Sequence, residues 1–374
     1  MARTWILPAL ALLLIGCGPA MDGLRPTAQP AETPGIPKAE AFQITEVDRF
    51  DEPWAMSFMP DSDLLAITER SGLLWLRHQA SGERIEVTGL PQVHHAGQAG
   101  FGDFVAGPSH AEDQQVYLSW SEPGDGGAGA AVGRARLQVG GQQAELVDLE
   151  VIWRQQPKVS GNGHFSQRLA FSPDGQYLFV SSGDRQKMDP AQDPDSDLGK
   201  IIRIDLANDQ AEHWTLGHRN PLGLTFDADG NLWSSEMGPQ GGDELNLIVQ
   251  GANYGWPRAS NGSHYGGGPI PDHQPGDGFE APKAWWAPSI SPGSLMIYDG
   301  ELFPDWRNDA FLGALSGQAL VRVDLSGTQA SGTERWSMDA RVREVEQGPD
   351  GSIWLLMDAG DGRLLQLTPP GHPR

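Results

Sequence analysis

An apolar alternating strand, a Pro/Asp/Gly turn and a second alternating strand recur along this chain. That repeat restricts its folds more than any other feature. It appears as "WAMSFMPDSDLLAITER" from Trp54, "RLAFSPDGQYLFVSSGD" from Arg168, "LGLTFDADGNLWSSEMG" from Leu222 and "VREVEQGPDGSIWLLMD" from Val342. Two weaker copies are "FGDFVAGPSHAEDQQVYLSW" from Phe101 and "LMIYDGELFPDWRNDAFLGAL" from Leu295. Each turn places Asp or Gly where positive φ or an Asx-turn is wanted, and each flank alternates with period two. Third strands follow in "GLLWLRHQ", "GKIIRIDL", "DELNLIV", "ALVRVDL" and "RLLQLTP". A hairpin-plus-strand unit in six copies predicts an all-β, six-bladed β-propeller. Two β-sandwiches are the rival, but no Pro/Ser-rich linker divides residues 42–374. Long inserts between copies, 121–131 and 251–292, are candidate site walls.

Composition agrees. Gly 48 and Pro 29 in 374 residues favour short strands and turns, and 39 % hydrophobic residues allow a sizeable core. A formal charge of −23 argues against nucleic acid, which demands basic surface. The N-terminus reads as a processing segment: Arg3 precedes the apolar stretch Ile6 to Ile15, too short to span a bilayer. Leu14-Ile15-Gly16-Cys17 resembles the bacterial lipoprotein box, and Cys17 is the sole cysteine. Residues 1–17 are thus expected to be a lipoprotein signal and 18–41 a flexible Pro/Ala-rich tether. The expected location is the periplasm or cell envelope, with membrane contact only through a lipid on Cys17.

Several motifs fail on inspection. Gly124, Gly126 and Gly129 spell GxGxxG without a following helix pattern. "DPDSDLG" (193–199) looks like a calcium loop, but its glycine is one place late and its twelfth position is Ile204. There is no CxxCH, HExxH or GxSxG. What remains is a set of polar residues at strand starts. His164 precedes the strand carrying Leu169 and Phe171, and Asp184 closes the next one, so a hairpin can return the carboxylate to the imidazole. Arg341 and Arg343 stand two apart and face the same way on a strand. They want carboxylate partners, either an internal acid or a polyanionic ligand.

"GHRNPLGLTF", "SSEMGPQGGDELNLIVQGANYGWP" and "LGALSGQALVRVDL" resemble the soluble quinoprotein aldose and glucose dehydrogenases that use pyrroloquinoline quinone (PQQ). The resemblance covers most of 42–368. It implies oxidation of aldose sugars at the anomeric carbon to lactones, with hydride transfer to the quinone and onward transfer to an external electron acceptor. By position, it implies His164 as catalytic base and Asp184 as its orienting carboxylate. Arg219 and Asn220 meet the quinone's reactive carbonyl end, Gln98 lies beside the cofactor, and Arg341 and Arg343 hold its carboxylates. The carbonyls of Gly238 and Pro239 bind the active-site Ca2+, while Glu244 and the carbonyl of Tyr254 serve a second, structural calcium.

Three positions depart from the family pattern. Met237 replaces the usual His or Gln before Gly-Pro, and a thioether is a poor calcium ligand. Ser316 or Gly317 falls where glucose dehydrogenases place a lysine, which the aldose branch also lacks. "GQAGFGD" replaces "GQGGLLD" near Gln98. A calcium-dependent propeller lactonase and a non-catalytic ligand-binding propeller remain as alternative readings.

Overall fold

The computed structural model describes Met1, Ala31–Glu32 and residues 37–373; the expected signal segment and Cys17 lie almost wholly outside them. The described chain is all-β, with only short helical turns. Its strands form mainly antiparallel four-stranded units in sequence order, and Ala31–Glu32 adds a fifth, parallel strand beside Gln329–Ser337. The first two units are joined into one eight-stranded sheet, through parallel pairing of Val87 and Thr88 with Ala144 and Glu145. Val342–Gln347, Ile353–Met357 and Gly362–Thr368 are completed by the N-terminal strand Gln43–Phe50, paired from Gln43↔Thr368 to Phe50↔Gly362. The repeat did not reveal this strand. It ties the two ends of the domain together.

Both faces of most strands are buried, and the two-residue period sorts each strand's side chains between neighbouring sheets. In Tyr177–Ser182, Leu178 and Val180 join a cluster with Tyr117 and Val132, whereas Phe179 joins Leu224 and Leu232 on the other side. In Ile353–Met357, Ile353 and Leu355 pack with Phe311 and Leu320, while Trp354 and Leu356 pack with Leu65 and Ile67. Apolar clusters therefore fill the spaces between consecutive sheets, and the last sheet packs back on the first. The first strands of successive units neighbour one another in the same cyclic order, Val342–Gln347 returning to Pro53–Phe58. Functional groups at the starts of these inner strands are consequently brought together at one end.

Two expectations need correction. The tether does not run to residue 41: Lys38–Ala41 is a helical turn whose Ala41 is buried with Phe42, and Lys38 donates to Ser337 O at 2.6 Å. Burying Ala41 and Phe42 in an apolar cluster offsets the entropy of ordering so short a segment. The insert 121–131 is not a site wall either. It is the tip of a hairpin between Gln115–Gly124 and Gly127–Gly140, which also accounts for the glycines of the GxGxxG string. The loop around 193–199 closes on the chain's own cation: Lys200 Nζ donates to the carbonyls of Pro190, Ala191 and Leu198 at 2.8–3.2 Å.

Candidate active site

One local rule builds much of the site. The acid closing a unit's second strand accepts hydrogen bonds from groups just ahead of, or at the start of, its first strand. Glu69 takes Asp51 N at 2.9 Å, and Asp184 takes His164 Nδ1 at 2.7 Å. Glu236 takes His218 Nδ1 at 2.9 Å as well as the Arg219 amide, and Asp358 takes Arg341 and Arg343. Antiparallel pairing makes this automatic, since the end of the second strand lies beside the beginning of the first.

His164 and Asp184 are therefore a buried pair. Asp184 Oδ2 also accepts Trp256 Nε1 at 2.8 Å, and Oδ1 accepts Gln186 N at 2.8 Å. Burial raises the Asp184 pKa, but the bonds from His164, Trp256 and Gln186 outweigh it and hold the group below the usual carboxylate range. Burial pushes His164 below the ordinary histidine value; Asp184 opposes this, and Arg219 and Arg185 add to it. A neutral imidazole whose Nδ1–H is given to Asp184 keeps its Nε2 lone pair as a proton acceptor. The His164 amide donates to Gln98 Oε1 at 2.7 Å, so Gln98 fixes the backbone that carries the imidazole. Arg185 is fully buried behind it, stacked 3.4 Å over Phe165, with guanidinium hydrogen bonds to the carbonyls of Ala128 and Gly161.

Next to this pair, bordered by Gln98, Phe165 and Ser166 and not by His164, Asp184 or Arg219 themselves, lies a cavity of about 360 Å³ walled also by Asn220, Arg341, Arg343, Arg70, Gln167 and Met237. Arg341 Nε meets Asp358 Oδ2 at 2.6 Å, and Arg343 Nη2 meets Asp358 Oδ1 at 2.8 Å. The internal-acid alternative for the arginine pair is met, and one carboxylate against two guanidiniums leaves one positive charge that Asp358 does not balance. Arg219 points its Nη1 at Met237 O (3.0 Å) and Nη2 at Tyr265 Oη (3.4 Å). Its Nε is buried without a partner among the described residues. Ser166 Oγ donates to Asn220 Oδ1 at 3.1 Å, leaving the Asn220 amide against Met237 Sδ at 3.8 Å. From the insert 251–292, Tyr265 and Ser291 reach the cavity wall as expected.

Gly238, Pro239, Glu244 and Tyr254 line a second, much smaller cavity of about 10 Å³ with Arg219, Glu236, Gly242 and Ser260. The expected ligands of both calcium ions thus border one small space. Its oxygen groups, the carboxylates of Glu236 and Glu244 and the Ser260 hydroxyl, suit a hard cation, while Arg219, Trp256 and Ala259 complete the lining. A Cβ on Gly238 would lie 2.2 Å from Gly242 O, so only glycine lets these backbones approach. Asp243 braces the loop from below, accepting Gly238 N at 2.9 Å and the amides of Ile290 and Ser291 at 2.7 Å; burial raises its pKa to about 6.

Residues 50–366 match the glucose/sorbosone dehydrogenase family model. The chain belongs to the glucose/sorbosone dehydrogenase family. It is 36 % identical over 344 residues to the aldose sugar dehydrogenase YliI of Escherichia coli (strain K12), spanning 86 % of this chain and 91 % of that one. A crystal structure of a glucose dehydrogenase superposes with a TM-score of 0.81 at 40 % identity, over 87 % of this chain and 99 % of the other. The PQQ-bound aldose sugar dehydrogenase of Streptomyces coelicolor superposes at 0.73 with 25 % identity, over 89 % and 99 %. Against the family resemblance, the residues that sequence reasoning missed are Trp54, Arg70, Gln167, Trp256 and Asp358. Asp358 was recoverable, because it ends its hairpin as Asp184 does. Trp256 was not, since nothing in "NYGWP" says that its indole reaches across 72 positions to Asp184.

Proposed function

We propose that this chain is a PQQ- and calcium-dependent sugar oxidoreductase built on a six-bladed β-propeller, oxidising aldoses at the anomeric carbon to lactones. The observation that carries this reading is the buried His164–Asp184 pair beside a cavity walled by Arg341 and Arg343. When bound, PQQ supplies an ortho-quinone that takes up a hydride. The chain's own part is the proton: His164 Nε2 accepts it from the anomeric hydroxyl as hydride leaves the same carbon, and Asp184 stabilises the imidazolium that forms. Arg341 and Arg343 hold carboxylates of the tricarboxylic cofactor. Arg219 and Asn220 would supply hydrogen-bond donors toward a carbonyl of the bound quinone.

The residues fit these groups. The cavity wall is cationic, Arg219 Nε lacks a partner, and at the small cavity Glu244 and the carbonyls of Gly238, Pro239 and Tyr254 would supply oxygen ligands for calcium. Met237 contributes its carbonyl to Arg219 and its thioether to the wall near Asn220, so it serves packing better than coordination. Electrons then pass to an external acceptor. The protein is exported and anchored by a lipid on Cys17. Purified apoprotein given PQQ and calcium should reduce a redox dye with aldoses. PQQ binding without dye reduction across an aldose panel would instead favour a ligand-binding propeller.

A further inference from the structure

The segment joining His164 to Arg168 is strained. His164, Ser166 and Gln167 all sit at positive φ, 52°, 61° and 77°, although none is glycine. Left-handed backbone in residues with side chains persists only where the surroundings impose it, and such positions gather at ligand sites. Here the surroundings are identifiable. Ser166 is held by Asn220, Gln167 O accepts Ser119 Oγ at 2.6 Å, and Arg168 is held by Leu222 O at 2.7 Å. The twisted register turns the Gln167 side chain onto the wall of the large cavity.

Gln167 is 2 % exposed, and its Nε2 has no hydrogen-bond partner among the described residues. At its other end, Ser121 Oγ, which accepts the Gly100 amide at 3.2 Å, donates to Gln167 Oε1 at a long 3.5 Å. A buried N–H pair without an acceptor is costly and uncommon. A strained backbone that presents such a group to a cavity is built for a ligand oxygen.

We propose that Gln167 is a ligand-binding residue of the large cavity, its carboxamide N–H donating to a carbonyl or carboxylate oxygen of the bound quinone. This rests on the proposed PQQ function and adds a contact that neither the HRNP block nor the arginine pair supplies. The roles are complementary. Arg341 and Arg343 give charge, whereas Gln167 gives one neutral, directional donor from the strained strand.

Apoprotein should be titrated with PQQ in calcium buffer by absorbance, and melted without PQQ, for the parent, Gln167→Met and Gln167→Gly. Met keeps the unbranched shape and removes the donor; Gly removes the donor and suits the left-handed backbone. Because the donor is unpaired in the apoprotein, Gln167→Met should melt no lower than the parent. Both variants should raise the PQQ dissociation constant about 10-fold, the scale of losing one hydrogen bond to a charged group. Parent-like PQQ affinity in both variants overturns the assignment while leaving the function reading intact. Weaker binding with a lower apoprotein melting temperature for Gln167→Met also overturns it, because that is the signature of a structural amide. A parent that fails to bind PQQ removes the function reading and this one with it.

Discussion

Replacing His164 by alanine tests the proposed chemistry most directly. His164 gives its Nδ1 proton to Asp184 at 2.7 Å, so a base lone pair remains on Nε2 only. A histidine at the ordinary value of ~6.5 is already about three-quarters neutral at pH 7, and burial moves His164 lower still. Most of the parent is therefore competent as base at neutral pH, so the loss in the variant is visible there. Losing a positioned general base typically removes about 10²- to 10⁴-fold in rate, or roughly 2.7–5.5 kcal/mol of barrier. The variant should bind PQQ almost as the parent does, because no cavity-lining arginine is touched. It should melt somewhat lower, since Asp184 keeps Trp256 and Gln186 but loses a charge-assisted partner worth about 1–3 kcal/mol. The assay is single-turnover reduction of the PQQ-loaded protein by aldose, followed optically. In the parent, activity should be present above the His164 pKa and fall as pH drops through it, with that limb below ~6.5 because the shift is downward. The histidine's contribution to stability has the same sign, being present above the unfolded value and lost as pH falls through the folded one. Unchanged turnover in His164→Ala, or an acid limb well above ~6.5, refutes the assignment of this imidazole as base.

Other outcomes follow from the same geometry. Arg343→Ala should raise the PQQ dissociation constant about 10- to 150-fold, measured by apoprotein titration; an unchanged value assigns the arginine to Asp358 alone. Chelation should abolish dye reduction and lower the melting temperature of the loaded protein, with calcium restoring both and magnesium restoring little, given its demand for tight octahedral geometry. Activity that survives verified removal of metal sinks the calcium proposal. Cys17→Ser should move the protein from the detergent phase to the aqueous phase with soluble activity unchanged, and continued membrane retention would place the anchor elsewhere.

The legible parts of the site were those encoded by pairing rules. Once "RLAFSPDGQYLFVSSGD" is read as a hairpin, the return of Asp184 to His164 follows from strand antiparallelism, and the structure has it at 2.7 Å. The same logic reaches Arg341, Arg343 and Asp358. Contacts between sheets were not legible in this way. Trp256 lies in a long insert and meets Asp184 only because the 251–292 loop folds back over the third unit. Arg70 reaches the cavity from the first unit, and Ser166 at the start of the third unit meets Asn220 at the start of the fourth. Such pairs depend on how sheets are rotated against each other, which no local pattern specifies.

The sequence by itself determined the all-β class, the succession of hairpins, the acid at the end of several second strands and the polar residues that open the next unit. These are local consequences of alternation and turn chemistry, operating over fewer than about twenty residues. Only the tertiary structure decided that Gln43–Phe50 completes the last sheet, that Lys38–Ala41 belongs to the fold, and that the carbonyls of Pro190, Ala191 and Leu198 close on Lys200. It also decided that two sets of expected calcium ligands share one small cavity, and that Gln167 faces the large one from a left-handed backbone. The physical reason is the same in each case. Hydrogen-bond pairing along a strand is written residue by residue, whereas the apolar packing between sheets sets distances among residues far apart in the chain, and those distances make the site.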